Sequence, residues 1–266
     1  MKKAILVVSF GTSYHDTRKK TIDAIEEAIS EEFKDYELRR AYTSRIILGI
    51  LDKRDGIEID NVTEAMEKLV QEGYEKVLVQ PTHVMSGDEY DGMMEDIKPF
   101  ESDFLNISYG APLLTGELDY ECLVEILAED TKEYNVPGTE ILLMGHGSEH
   151  SANVVYRNLA EVFRRKGYEN YHVGTVEAKP DYEDMEYEIK QTASRRVILQ
   201  PLMIVAGDHA NNDMAGADED SWKCRLEAAG YEVICCVKGM GELEGVRQLF
   251  VEHARDAEVV YNRKRD

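Results

Sequence analysis

Val77-Leu78-Val79-Gln80-Pro81-Thr82-His83-Val84-Met85-Ser86-Gly87-Asp88-Glu89 aligns without a gap to Val197-Ile198-Leu199-Gln200-Pro201-Leu202-Met203-Ile204-Val205-Ala206-Gly207-Asp208-His209. The alignment sets Gln80-Pro81 against Gln200-Pro201, and Gly87-Asp88 against Gly207-Asp208. Each stretch opens as a short continuous apolar run, the form a buried parallel strand takes, and ends on a Gly-Asp turn. A second correspondence lies upstream of each: AILVVSFGTS, from Ala4 to Ser13, matches EILLMGHGSE, from Glu140 to Glu149, and equates Gly11 with Gly147. Two matches in the same order point to an internal duplication, and with it a pseudo-two-fold pair of halves whose loops face one another.

Working outward, apolar runs fall at Ala4–Phe10, Glu37–Tyr42, Lys76–Gln80, Asn106–Tyr109, Glu140–Met144, Tyr171–Val176, Arg196–Gln200 and Glu232–Val237. Longer amphipathic, charge-rich segments separate them. This alternation predicts parallel strands joined by helical crossovers, four strands to each half. The expected fold class is α/β: two similar doubly wound parallel-sheet domains related by internal duplication. Pro137-Gly138 marks a turn between them and divides the chain into an N-terminal half, 1–135, and a C-terminal half, 136–266.

The 266 residues suffice for one large core or two modest ones. Hydrophobic residues make up 43% and charged residues 32%, a balance that fits a folded protein rather than a disordered one. No apolar run approaches the roughly 20 residues that span a bilayer, so no membrane partner is expected. Met1-Lys2-Lys3 ahead of Ala4–Phe10 has the outline of a signal peptide, but the apolar stretch is short and Gly11-Thr12-Ser13 leads into a charged helix. It reads as the first strand, and the expected location is cytoplasmic. A net charge of -22 offers no basic patch for phosphates and argues against a nucleic-acid partner. The same charge repels polyanionic ligands at long range, so any such ligand needs a local cluster of Arg and Lys. Cys122, Cys224, Cys235 and Cys236 show no C-x-x-C spacing. Buried thiols in a reducing compartment are therefore expected ahead of a zinc or iron–sulfur site.

Open α/β sheets bind ligands beyond the carboxyl ends of their strands, so the residues just after each apolar run carry the information. Where the first half has Phe10 the second has His146, and where the first has Glu89 the second has His209. Glu177 follows the second-half strand ending at Val176. Two imidazoles and a carboxylate on separate strand ends suit a first-row transition metal such as Co, Ni, Fe or Zn. Each residue also has a plainer explanation. His146 could serve the turn Met144–Ser148, although glycines on both sides leave its ring uncovered. His209, beside Asp208 and ahead of Asn211, Asn212 and Asp213, equally fits a solvated helix start. His83 aligns with Met203, which predicts an apolar environment and a structural or supporting role. His15, His150, His172 and His253 sit in polar or helical contexts and are expected on the surface. Ser9-Phe10-Gly11-Thr12-Ser13 has a glycine turn suited to an anion at the following helix start. It lacks the G-x-x-x-x-G-K-[ST] pattern, so nothing supports ATP hydrolysis.

With these residues in view, the chain resembles the single-subunit, ATP-independent class II chelatases, and within them the sirohydrochlorin cobalt chelatases of the anaerobic cobalamin pathway. The resemblance covers nearly the whole length. It is carried by ILVVSFGTSYHDTR, AYTSRIILGILDKRDGIEID, VQPTHVMSGDEYD, GAPLL, MGHGSEH, VGTVEAKPD and PLMIVAGDHANNDMAGADEDSWK. It implies two doubly wound domains with the tetrapyrrole between them, and helices after the last strand of a half packing across the boundary, so that the division near residue 136 is approximate. It implies metal positions at His146, Glu177 and His209, and a further acidic cleft residue at Glu89. Co²⁺ is the implied substrate metal, with no ATP, NAD or iron–sulfur cluster.

Insertion requires a puckered macrocycle, a metal that sheds water, and departure of the pyrrole N–H protons. His146 is expected to accept a proton and then hand over the ion as a neutral ligand, with His209 and Glu177 holding the metal and Glu89 relaying protons. A polycarboxylate tetrapyrrole needs local cations, for which Arg45, Lys53 and Arg54 are the candidates, with Ser9, Thr12 and Ser13 as neutral donors. A solvated helix face is the plainer account of those three cations. Competing functions are a non-catalytic tetrapyrrole or metal carrier, a chelatase for Fe²⁺ or Ni²⁺, and a non-haem iron oxygenase; the alternating strand and helix pattern argues against the last. A homo-oligomer is compatible with each.

Overall fold

The structure is a computed structural model that describes residues 1–261. In the first sheet β1 (Lys3–Ser9) lies between β2 (Glu37–Tyr42) and β3 (Lys76–Pro81), with β4 (Asn106–Tyr109) beyond β3. These four strands are parallel, and β9 (Glu258–Tyr261) adds an antiparallel edge against β4. In the second sheet β5 (Thr139–Gly145) lies between β6 (Tyr171–Thr175) and β7 (Arg196–Pro201), with β8 (Glu232–Cys235) beyond β7, all parallel. The orders β2-β1-β3-β4 and β6-β5-β7-β8 are the same, as an internal duplication requires. Both β1 and β5 are interior strands, which is why their runs are buried almost throughout rather than alternating.

The helices are α1 (His15–Lys20), α2 (Ile22–Glu32), α3 (Arg45–Ile50), α4 (Val62–Gln71), α5 (Asp88–Ile97), α6 (Glu117–Asp130), α7 (Val154–Arg165), α8 (Tyr182–Lys190), α9 (Trp222–Ala228) and α10 (Glu244–Arg255). In the first sheet Ala4, Leu6 and Val8 share a core with Val62, Ala65, Met66 and Leu69 of α4 and with Met93 and Ile97 of α5. In the second, Leu142 and Met144 share one with Tyr182, Met185 and Ile189 of α8 and with Trp222 and Leu226 of α9. The alternate residues Ile5, Val7, Ile141 and Leu143 are equally buried and point to the opposite face, so each sheet is covered on both sides. Each such aliphatic side chain contributes roughly 1.5–3 kcal/mol. Local signals set the helix starts: Asn61 and Glu64 form a reciprocal cap on α4, and Ser44 caps α3.

The chain divides into two compact units, one formed by Met1–Thr115 with the described chain from Val246 onward, the other by Gly116–Gly245. The expected boundary near residue 136 is approximate because helices after the last strand of a half are expected to cross it; the units divide instead after Thr115 and after Gly245, and residues 262–266 of the expected second half lie outside the described residues. Side-chain partners explain this. Within the second unit, α6 buries Leu123, Val124 and Leu127, Glu121 of α6 pairs with Arg165 at 3.1 Å, and Asp130 pairs with Lys238 at 2.6 Å. Within the first unit, Arg255 of α10 pairs with Glu32 of α2 at 2.8 Å, and β9 extends the sheet.

No described helix is long and apolar enough to cross a membrane. The four cysteines are free thiols; Cys122 is exposed and the others half-buried, so full burial is not what the fold gives them. His172, expected on the surface, is instead buried. Its Nε2 lies 2.8 Å from Glu140 Oε2 and its Nδ1 lies 2.7 Å from Glu188 Oε2, while Ser194 donates to the other Glu140 oxygen at 2.6 Å. A paired imidazole can be buried where a lone one could not, and β6 turns this residue inward. Burial works against the charged ring, yet the hydrogen bonds to Glu140 and Glu188 hold its pKa above the ordinary value.

Candidate metal centre

His146 follows β5 in the turn Gly145-His146-Gly147. A Cβ on Gly145 would fall 2.2 Å from the Tyr156 ring. Gly147 has φ +87°, and a Cβ there would sit 2.7 Å from Thr175 Oγ1. Only glycines let the chain turn this tightly against Tyr156 and Thr175, and the turn leaves the His146 side chain about half exposed, at 47%. Its Nδ1 lies 2.7 Å from the Gly147 carbonyl oxygen. A carbonyl only accepts, so the neutral ring carries its proton on Nδ1 and keeps the Nε2 lone pair free for a metal.

Glu177 is placed by the continuation of the β5–β6 ladder. Val176 N donates to Gly145 O at 3.0 Å and Glu177 N to His146 O at 2.9 Å, which sets the carboxylate beside the imidazole. The loop beyond is fixed by Thr175, whose hydroxyl donates to Ala178 O at 2.7 Å, and by Asn153, which donates to Lys179 O at 2.7 Å. His209 enters a π-helical turn, Ala210–Met214, anchored by the buried Ala210 and Met214. Its Nδ1 lies 2.6 Å from Asp213 Oδ2, one turn on, so Nε2 is again the free nitrogen.

The three side chains meet at the carboxyl end of the second sheet. Glu177 Oε2 is 3.8 Å from His146 Nδ1, Glu177 Oε1 is 4.0 Å from His209 Nε2, and the two rings stand edge to face with centroids 4.7 Å apart. One donor atom from each falls within 4.8 Å of the others, the one such group among the described residues. They come from the ends of three adjacent strands, with β5 in the middle, where the strand order reverses direction. That is the switch point at which open α/β sheets bind ligands. Two imidazoles and a carboxylate form a donor set for a borderline first-row divalent ion. Asp213, the partner of His209 Nδ1, is the residue of this cluster that sequence reasoning missed. Its spacing from His209 was the available signal, but without the turn geometry it fits a solvated helix start equally well.

The remaining expected residues lie in the first unit. Glu89 is exposed in the first turn of α5. Ser9 is buried and accepts from the Thr82 hydroxyl at 2.8 Å; Thr12 is buried and accepts from Tyr14 N at 3.2 Å. Neither therefore presents an open hydroxyl. Ser13 is half-buried, and its carbonyl accepts from Arg54, which also pairs with Asp55 at 2.7 Å. Arg45 and Lys53 are exposed and have no ionic partner among the described residues. With Ile46, Gly49, Ile50 and Arg54 they line an open groove of about 500 Å³. Ile46 is 75% exposed, and Phe10, Tyr14 and Ile50 are also large exposed apolar residues of this region. They give the first unit an apolar surface edged with cations, on a chain whose net charge is -22.

SirB from Bacillus subtilis, solved with Fe³⁺, superposes with a TM-score of 0.69 at 16% identity, over 96% of this chain and 95% of that one. CbiX, described as the terminal enzyme for biosynthesis of siroheme in denitrifying bacteria, gives 0.55 at 17% identity, over 96% and 99%. Fold and site together thus define a two-unit α/β protein of the chelatase fold with a His–Glu–His cluster at one switch point. The model of the family "Cobalt chelatase (CbiK)" matches residues 3–259. The sirohydrochlorin cobaltochelatase of Salmonella typhimurium is 39% identical over 257 residues, 97% of each chain. Sirohydrochlorin cobaltochelatase CbiKC of Nitratidesulfovibrio vulgaris is 34% identical, over 95% of this chain and 89% of that one. The chain belongs to the cobalt chelatase family.

Proposed function

We propose that this protein inserts Co²⁺ into sirohydrochlorin, the substrate named for its relatives in Salmonella typhimurium and Nitratidesulfovibrio vulgaris. The supporting observation is the His146–Glu177–His209 cluster, with each Nδ1 engaged by an acceptor so that each Nε2 is free. Glu177 and His209 hold the incoming ion. His146 accepts a pyrrole proton and, once neutral again, passes the metal to the macrocycle nitrogens. Glu89 relays protons from its exposed position in α5.

The groove of Arg45, Lys53 and Arg54 takes substrate carboxylates, while Ile46, Ile50 and Phe10 offer apolar area to the macrocycle. Ser13 and its neighbours Ser9 and Thr12 shape the adjoining loop, which Arg54 ties down. Ligation by the macrocycle itself drives the reaction, so the proposed chemistry calls for no ATP, NAD or iron–sulfur cluster, and the setting is cytoplasmic. The net charge of -22 speaks against a nucleic-acid partner.

The test is an anaerobic absorbance assay with sirohydrochlorin and Co²⁺, Ni²⁺ or Fe²⁺ in turn. The expected result is many metallated products per chain, fastest with Co²⁺. One product per chain would make the protein a carrier, and a clear preference for Fe²⁺ or Ni²⁺ would reassign the metal.

A further inference from the structure

Among the described residues, every buried side-chain nitrogen or oxygen without a hydrogen-bond partner belongs to the first unit. The most demanding is His83, because both of its ring nitrogens are in this state. Burial pushes its pKa down to about 4, so near neutral pH the ring is uncharged and carries one donor and one acceptor. Thr43 Oγ1 is likewise buried and unpartnered.

The two residues are related by the sheet. The last pairs are Ser9 with Tyr42 and Val8 with Pro81, so Thr43 and His83 fall in one register row with Phe10 between them, just past the carboxyl ends of β2, β1 and β3. The duplication supplies an internal control. In the second unit Gly145 pairs with Thr175 and Met144 with Pro201, so the matching row is Val176, His146, Met203. The backbone bonds beyond the strands also match: Thr82 N to Val8 O against Leu202 N to Met144 O, both 2.8 Å, and Leu113 N to His83 O at 2.9 Å against Met240 N to Met203 O at 2.8 Å. The same backbone thus accepts a methionine where the first unit has His83. The imidazole is not needed to build the turn, and its unpartnered nitrogens carry a desolvation cost that Met203 avoids.

We propose that His83, with Thr43, forms a neutral hydrogen-bonding subsite at the switch point of the first unit that takes a carboxyl group of the tetrapyrrole. This subsite rests on the substrate assignment made above and extends it. The ring N–H and the threonine hydroxyl supply donors, and the ring's second nitrogen accepts from a protonated carboxyl or an N–H of the macrocycle. Exposed Phe10, in the middle of the row, supplies apolar contact. His83 is thus a substrate-binding residue for this reaction and takes no part in holding the metal.

His83→Met copies the residue that the protein's own repeat uses. In the full chain this variant is expected to melt no lower than the parent, since two unpartnered polar atoms are removed. Its dissociation constant for metal-free sirohydrochlorin, read by absorbance titration, and its KM should both rise by about tenfold, with kcat within about twofold. Thr43→Val should weaken binding in the same sense and by less. Met-variant binding equal to the parent's overturns the subsite, and so does a KM that rises only in step with a lowered melting temperature. An imidazole that merely bonds a structural water gives the first of these results. A parent that inserts cobalt, alongside a His83→Met variant indistinguishable from it, sinks the subsite alone. A parent that binds no sirohydrochlorin overturns both the subsite and the function it rests on.

Discussion

The two units carry the same strand order and nearly the same backbone bonds at the carboxyl ends of their strands, yet among the described residues one of them alone gathers side chains that could hold a metal ion. Ser44 N donates to Phe10 O at 3.2 Å in the first unit, as Glu177 N donates to His146 O at 2.9 Å in the second. Phe10, Ser44 and Glu89 therefore occupy the places of His146, Glu177 and His209. In the first unit those places hold an exposed aromatic ring, a helix cap and an acid. In the second they hold two imidazoles and a carboxylate within one ion's reach. The amino-terminal ends differ as well: register sets Ala4 and Arg39 where the second unit buries Glu140 and His172. A duplicated scaffold supplies positions, and a few side chains at strand ends decide what the positions do.

The sharpest way to break this comparison is to remove the donor that the first unit lacks. His146→Ala is expected to lower the insertion rate by about 10² to 10⁴-fold with Co²⁺ in excess, the range for losing a general base. A rate equal to the parent's would erase the distinction between the units. At the opposite end of the sheet, His172→Gln should cost on the order of 3 kcal/mol, because Glu140 and Glu188 then lose their shared partner. The pH dependence has a definite sign. His172 titrates above its ordinary 6.5, so its contribution is full below that pH and fades as pH rises through the raised value. Glu140 and Glu188 titrate below their ordinary 4.5, so theirs is full above that pH and fades as pH falls through the lowered values. The network should stabilise most between about 4.5 and 6.5. Urea melts of parent and variant across pH should differ most there; a gap independent of pH would show that the charges are not responsible.

Much of this was legible in the sequence because unbroken apolar runs and strand-end punctuation are local properties. The eight parallel strands lie within two residues of their expected bounds, and the doubly wound pairing follows from alternation. His146 and His209 stood out only because the repeat sets a different residue, Phe10 and Glu89, against each. What was hidden depended on distant partners. That α6 and α10, the helices after the last parallel strand of each half, cross the boundary was implied by the family resemblance and not by any local pattern, since their buried faces and ion pairs are long-range. β9 was missed because a short antiparallel edge strand leaves little pattern. His172 was misplaced for the same reason: a histidine in a strand shows no sign of two carboxylates arriving from other elements.

A smaller effect sharpens the account of how the second unit's donors are aimed. Asp213→Asn keeps the shape of the π-helical turn but replaces the charged acceptor on His209 Nδ1 by an amide, which weakens the preference for a free Nε2. Turnover or Co²⁺ affinity is expected to fall by about 10- to 100-fold, the usual cost of losing a partner behind a metal-binding histidine. Isothermal titration with Co²⁺ alone separates this from a tetrapyrrole effect. Unaltered cobalt affinity together with unaltered turnover would make Asp213 a mere turn residue.

The least drastic test addresses the cations of the first unit, which stand against a net charge of -22. Arg45 is exposed and free of ionic partners among the described residues, so Arg45→Glu disturbs no described ion pair and should leave the melting temperature nearly unchanged. If the groove receives substrate carboxylates, reversing this charge should raise KM for the tetrapyrrole by about tenfold at low ionic strength, with kcat little affected. The difference should shrink as salt is added, since the screening length falls to about 10 Å at 0.1 M. Arg54, already committed to Asp55 and the Ser13 carbonyl, should respond differently: its loss should loosen the loop and lower stability as well as affinity. A KM for Arg45→Glu that matches the parent at every salt concentration would remove the groove from the substrate path and leave the first unit without an electrostatic role in binding.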